Sequence, residues 1–272
     1  MIFGILVVFS EEYFIDSLSE FGRVLKLTAR PYKIIVVFNN HDLAEKYPTE
    51  STKGINYDSV IGSNQFHEFS GWNEGLDFIK LQYASQYQKS HFVFCNDTFC
   101  QHRTYTFFHR LIFSASCTLS FFARNPTIAG EVNSFGEDFE FNNCTFSTWV
   151  SSYFFSINQS AINLLKFNIL PSSNVINTYL VGGHEEKLFF SNSMDLKLKR
   201  HLLNWLFLGG WYKSESLNQI NKDRFYCKAR SILAEFNLSS NAHEKKIGLI
   251  DTYFLIKKFN KLRRSIYLHT IN

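Results

Sequence analysis

The segment His91-Phe-Val-Phe-Cys-Asn-Asp-Thr-Phe99 is an apolar run that ends abruptly in Asn96, Asp97 and Thr98. A carboxylate at the C-terminal end of a central strand can hold a divalent cation between two phosphates, because hard oxygen donors suit Mg²⁺ or Mn²⁺. Asp97 is the candidate ligand, and a single carboxylate is a thin metal site. The same three residues also suit a plain turn capping the next helix. Other chemistries find less support. No GxGxxG follows the first strand, no GxxxxGK[ST] occurs, and Cys95, Cys100, Cys117, Cys144 and Cys227 form no CxxC pair and have no histidines at metal-ligand spacing. The five cysteines read as buried thiols.

The elements that must present Asp97 are those of a layered α/β domain. Ile2 to Phe9 reads as a buried strand, and Glu11 to Leu27 as a helix with Phe14, Leu18, Phe21 and Leu25 on one face. Lys33 to Phe38 is the second strand. A polar loop runs from Asn39 to Lys53, and Ser59 to Gly62 is a short third strand. Ser70 is expected to cap a helix carrying Trp72, Leu76, Ile79, Tyr83 and Tyr87, with Asn73 and Glu74 as first-turn polar residues, and His91 to Cys95 is the fourth strand. Open α/β sheets bind ligands beyond the C-terminal ends of such strands. Farther on, Thr127 to Gly130 reads as a strand and Thr148 to Phe167 as strand or loop, then helix. Helical stretches follow at about 185 to 208, 216 to 236 and 243 to 267.

The run Asn64-Gln-Phe-His-Glu-Phe-Ser-Gly-Trp-Asn-Glu-Gly-Leu76, followed about twenty residues later by the strand ending in Asn96-Asp97-Thr98, resembles the nucleotide-sugar-binding half of GT-A fold glycosyltransferases. The nearest likeness is to the small enzymes of bacterial surface-polysaccharide synthesis, of the O-antigen or capsule kind. The resemblance covers about residues 1–135. It implies a GT-A-like α/β domain: a mixed, mostly parallel sheet flanked by helices, with residues 1–135 binding the nucleotide sugar, residues 136–272 binding the acceptor, and a helical, basic C-terminal third. It implies that Phe9, Ser10 and Asn39 lie near the nucleoside, Asn64, Gly71 and Asn73 near the ribose and diphosphate, and Asn96, Asp97 and Thr98 at the phosphates, with Mg²⁺ or Mn²⁺ on Asp97. Gly71 equally suits close packing at a helix start. Inverting transfer also needs a carboxylate to take the acceptor's proton. Glu185 and Glu186, following Gly182-Gly183-His184, look like the acidic pair before an acceptor-side helix, and Glu131 is the other candidate. Charge complementing a helix dipole is the plain reading of that pair.

The chain has 272 residues, 45% apolar and 19% charged, with 30 Phe, 13 Gly and 4 Pro. That is a folded, aromatic-rich chain rather than a tail or a linker. No apolar run approaches the roughly 20 residues of a spanning helix, and Met1 leads directly into a strand-like run without a signal-peptide pattern, so a cytoplasmic location is expected. Residues 1–194 carry 13 basic and 18 acidic side chains, whereas residues 195–272 carry 15 and 6. The basic end points to an anionic partner, here the inner membrane surface or a phosphate-bearing ligand rather than nucleic acid. Lys245 and Lys246, then Lys257, Lys258, Lys261, Arg263 and Arg264, interleave with apolar residues as in a basic helix lying on a leaflet. The expected activity is sugar transfer from a nucleotide sugar to a glycan or lipid-linked acceptor. The alternative is a nucleotide- or sugar-binding module without chemistry.

Overall fold

The computed structural model describes residues 1–47, 50–101, 105–181, 183, 185–186, 189–211, 213–254 and 257. β1 (Ile2–Val8) is buried along its whole length, as a parallel strand covered on both faces must be. Its even residues face one apolar cluster with Phe14, Leu18 and Phe21 of α1 (Glu11–Leu27), and its odd residues face the other with Phe69, Trp72 and Leu76 of α3 (Glu68–Gln82). β2 (Tyr32–Phe38) and β4 (Ile55–Ile61) extend the sheet in parallel on one side of β1, and β5 (His91–Asn96) pairs in parallel on its other side. The polar stretch between β2 and β4 holds the short helix α2 (His41–Lys46) and the edge strand β3 (Glu50–Thr52). α4 (Ala84–Tyr87) leads into β5, and α5 (Phe107–Phe122) follows it.

Beyond α5 the chain departs most from its sequence reading. β6 (Thr127–Phe141) and β7 (Cys144–Ile157) form one long antiparallel hairpin, well beyond the four-residue strand expected at Thr127–Gly130. Its two-residue turn, Asn142-Asn143, has φ of 52° and 59°, the left-handed pair that a type I′ hairpin turn requires. β6 crosses residue 135, so the two halves share one sheet. α6 (Gln159–Leu164) and α7 (Ser173–Tyr179) are short. The predicted helix at 185–208 begins only at α8 (Leu196–Phe207), where Asp195 accepts the amides of Lys197 and Leu198. α9 (Lys222–Glu244) runs one turn or more past its expected end. The expected 243–267 helix is replaced at its start by a turn and by β8 (Gly248–Asp251), which pairs in parallel with β6. Lys258, Lys261, Arg263 and Arg264 lie outside the described residues.

The sheet order is β3-β4-β2-β1-β5-β7-β6-β8. From β1 the chain passes outward to β2 and β4, then α3 on the opposite face returns it to β5 on the other side of β1. This reversal makes the C-terminal ends of β1 and β5 the topological switch point, where a crevice opens in α/β sheets. No helix among the described residues is long and apolar enough to cross a membrane.

Candidate functional site

Asp97 follows β5 at this switch point and reaches across to β1. Its backbone N–H donates to the Val7 carbonyl, and its Oδ2 accepts the amides of Phe9 and Ser10, both at 2.7 Å. The carboxylate thus holds the turn that starts α1, whose N-terminal dipole also favours a negative charge there. Contrary to expectation, Asp97 does not face outward: it is 3% exposed. Burial raises its pKa and the nearby Glu68 charge adds to the rise, while the two amides oppose it. Asn96 and Thr98 satisfy each other, since the Asn96 Oδ1 accepts the Thr98 amide (3.2 Å) and hydroxyl (2.8 Å). This is an Asx turn. It caps no helix, because α5 starts nine residues after Thr98 behind Thr106. Phe9 stands half exposed at the same edge (51%).

A second group gathers at the ends of β2 and β4. The buried Asn39 donates from Nδ2 to the His67 carbonyl (2.8 Å) and to Asn64 Oδ1 (3.4 Å). Asn39 Oδ1 is buried without a hydrogen-bond partner. Gly62 and Gly71 make room for this carboxamide: a Cβ at Gly62 would stand 2.2 Å from Asn39 Oδ1, and one at Gly71 would meet Val7 at 2.8 Å and the same oxygen at 3.1 Å. Close packing therefore accounts for Gly71. Gly62→Ala is expected to destabilise the fold by about 1–3 kcal/mol, as overpacking does, and an unchanged denaturation midpoint would contradict this packing role.

Asn39 also fixes the entry to α3. His67, immediately before the helix, has φ 50° and ψ −130°, a left-handed conformation that costs a non-glycine residue about 1–3 kcal/mol. Its carbonyl is held by Asn39 and by Ser70 Oγ (2.9 Å). Ser70 is thus inside the helix, bonding back over its start, and is not the predicted cap. Burial holds the His67 imidazole below its usual pKa; Glu68 pulls it upward, and Lys228 and Arg230 push it down. Asn73 turns elsewhere, with its Oδ1 accepting the Ile169 amide (3.4 Å) and its amide group reaching Asp77 (3.5 Å). Glu74 binds the Ser63 amide through both oxygens.

The strained entry delivers Glu68, a residue that the spacing reasoning missed, to β7 and α9. Glu68 Oε1 accepts the hydroxyls of Ser152 (3.2 Å) and Ser231 (3.0 Å). The Ser152 amide donates to Glu235 Oε2 at 3.1 Å, so one serine joins two carboxylates. Burial lifts the Glu235 pKa to about 7, with Ser152 and Lys228 pulling it down and Glu68 adding to the rise. Residue 235 retains some exposure while protein surrounds its carboxyl. Lys228, Ser231 and Glu235 are spaced i, i+3 and i+7 on one stripe of α9. That polar stripe on the helix expected at 216–236 was the signal available in sequence. Glu68 had none, being read as loop. The Arg230 guanidinium lies 4.3 Å over the Phe66 ring, next to His67.

The remaining candidates lie apart from this arrangement. Glu131 accepts the Tyr153 hydroxyl (2.7 Å). Because Ser152 and Tyr153 are successive residues of β7, their side chains leave opposite faces of the sheet, and Glu131 is on the face away from Glu68 and Glu235. Glu186 accepts the Leu217 amide (3.1 Å), Glu185 is exposed, and neither opens a regular helix. Cys95 and Cys117 are buried thiols as expected, but Cys100 and Cys144 are half-buried and Cys227 is exposed.

Asp97 Oδ2 is committed to two amides, and no three His, Cys, Asp or Glu side chains converge as a metal site among the described residues. What the arrangement supplies is a group of carboxylates, one titrating near neutrality, with cations and a half-exposed aromatic ring at the strand ends. No family model matches the chain, and no curated protein matches it.

Proposed function

We propose that the chain is a glycosyltransferase that moves a sugar from a nucleotide-sugar donor to a glycan or lipid-linked acceptor in surface-polysaccharide synthesis, with inversion at the anomeric carbon. The observation that carries this reading is the Glu68–Ser152–Glu235 bridge next to the switch point of the sheet: a carboxyl with a pKa of about 7 suits proton acceptance near physiological pH. Phe9 offers a face for a nucleoside base. Lys228 and Arg230 supply positive charge for a diphosphate. The acceptor hydroxyl oxygen forms its bond to the anomeric carbon as the bond from that carbon to the phosphate oxygen breaks. The nucleoside diphosphate leaves with the electron pair, and the hydroxyl proton passes to the Glu235 carboxylate. Glu68, tied to both serines, positions that carboxylate through Ser152.

The transfer step needs no metal in this reading, because Glu235 takes the proton and Lys228 and Arg230 meet the diphosphate charge. Transfer is therefore expected to persist after EDTA treatment and dialysis. Activity abolished by EDTA and restored by Mn²⁺ or Mg²⁺ would instead give Asp97 Oδ1 the ligand role. The same reading implies a cytoplasmic enzyme working at the inner membrane face. Its direct test is release of nucleoside diphosphate from a panel of nucleotide sugars by the wild type and by Glu235→Gln.

A further inference from the structure

The backbone at His67, φ 50° and ψ −130°, is one that glycine adopts freely, and a residue with a Cβ stays there only where its surroundings fix it. Those surroundings are closely bonded. The His67 carbonyl accepts from Asn39 Nδ2 (2.8 Å), Ser70 Oγ (2.9 Å) and the Gly71 amide (3.4 Å), and the Phe66 amide donates to Ser70 Oγ (3.1 Å). Asn39 and Ser70 are themselves buried. All of these bonds run through backbone atoms at residues 66 and 67, so glycine would make them equally well without strain. What histidine adds at this position is its imidazole.

The imidazole lies against α9, facing the Cys227 carbonyl, with Lys228 and Arg230 of that helix and Glu68 of α3 nearby. Its neighbours in sequence reach the same helix. The Phe66 ring lies under the Arg230 guanidinium at 4.3 Å, and Glu68 Oε1 accepts the Ser231 hydroxyl at 3.0 Å. Consecutive side chains of an extended backbone leave opposite sides, whereas the left-handed turn at His67 lets three in a row meet one partner. Cys227, Ser231 and Glu235 are spaced i, i+4 and i+8, about one helical turn apart. His67 meets the first of these turns, Glu68 meets the second, and Ser152 links Glu68 to the third.

We infer that His67 is a positioning residue: its imidazole pins the start of α3 in register along α9, and this register holds Glu68 on Ser152 and Ser231 and so sets the separation of the Glu68 and Glu235 carboxyls. The tolerance is small. A slip along α9 by the rise of one residue, about 1.5 Å, is enough to take Glu68 Oε1 out of hydrogen-bond range of both serines, whose bonds are already 3.2 Å and 3.0 Å long. Neither serine can follow, because Ser152 belongs to β7 and Ser231 to α9.

The inference rests on the Glu68–Ser152–Glu235 bridge and not on sugar transfer, and its test uses no substrate. The groups facing Glu235 are Ser152 of β7, Lys228 of its own helix and Glu68 of α3. The full chain, labelled with carbon-13 at its glutamate carboxyls, is titrated by NMR, with the Glu235 signal assigned from Glu235→Gln. In His67→Gly the turn keeps its conformation without strain, so the melting temperature is expected to hold or rise. The Glu235 titration is expected to move down by about one pH unit all the same, because a released Glu68 withdraws its charge and lets water reach the carboxyl. A role confined to folding would move the melting temperature and leave that titration in place. His67→Asn, which tolerates the left-handed backbone but lacks the ring, is the second variant and should show the same downward shift if His67→Gly does not fold. Glu235 titrating in the folded variants as it does in the wild type overturns the inference, and so does a wild-type Glu235 that titrates as an ordinary carboxyl. A shift as expected in a chain that releases no nucleoside diphosphate from any nucleotide sugar keeps this inference and removes the sugar-transfer reading.

Discussion

Glu235→Gln is expected to lower kcat by about 10²- to 10⁴-fold, the usual contribution of a positioned general base, with donor affinity nearly unchanged. Glutamine keeps an oxygen for the Ser152 amide, so the bridge to β7 survives while proton acceptance is lost. In the wild type the pH profile of kcat/KM should rise with an apparent pKa near 7, and in the variant that limb should disappear. Stability moves in the opposite sense. A carboxyl raised from an ordinary value near 4.5 to about 7 binds more protons folded than unfolded, so stability falls as pH rises between those values, by at most about 3 kcal/mol at 1.36 kcal/mol per unit. Glu235→Gln should remove this dependence and raise the melting temperature above pH 7. Glu185→Gln and Glu186→Gln should retain kcat. If either of them abolishes transfer while Glu235→Gln does not, the proton goes to that pair instead.

Asp97→Ala is expected to fail first as a fold and only then as an enzyme. Removing its carboxylate leaves the amides of Phe9 and Ser10, two part-buried donors, without their acceptor, at a cost of about 1–2 kcal/mol each. A total of about 2–4 kcal/mol corresponds to roughly 5–15 °C in melting temperature for a chain of this size. Asp97→Asn keeps an acceptor oxygen toward the turn and should lose much less. Thermal unfolding of both variants is the check. An unchanged melting temperature in Asp97→Ala would remove the cross-link between β5 and β1, and normal folding with complete loss of transfer would make Asp97 a direct donor contact.

The first half of the fold was legible because its signals are local. Phe14, Leu18, Phe21 and Leu25 are all buried on α1, whose limits match the periodicity to the residue. The β6–β7 hairpin was not legible from alternation: past Gly130 the strand carries Glu131, Asn133, Ser134, Glu137 and Asp138, and burial of only alternate, outlying positions hides the period. Asn142-Asn143 was the missed sign. At the C-terminal end the 3.6-residue spacing of apolar and basic residues suggested a helix, but pairing of Gly248–Asp251 beside β6 overrode it after Lys246 turned the chain with φ 54°. Among the candidate residues, Asp97, Ser10, Asn39 and Asn64 were readable as polar positions at strand ends, whereas Phe9, read into the buried first strand, lies beyond its end and is half exposed. The Glu68–Ser152–Glu235 bridge was not, because its hydrogen bonds join residues 83 and 84 positions apart and no periodicity spans such separations.

The most direct measurement of the central claim is release of nucleoside diphosphate from a panel of nucleotide sugars, followed across pH 5 to 9 with wild type and Glu235→Gln side by side. Sugar transfer predicts release from at least one donor, slow to water and faster with an acceptor glycan, increasing through a pKa near 7 and lost in the variant. Binding of nucleotide sugars without release at any pH would contradict it and leave a binding module.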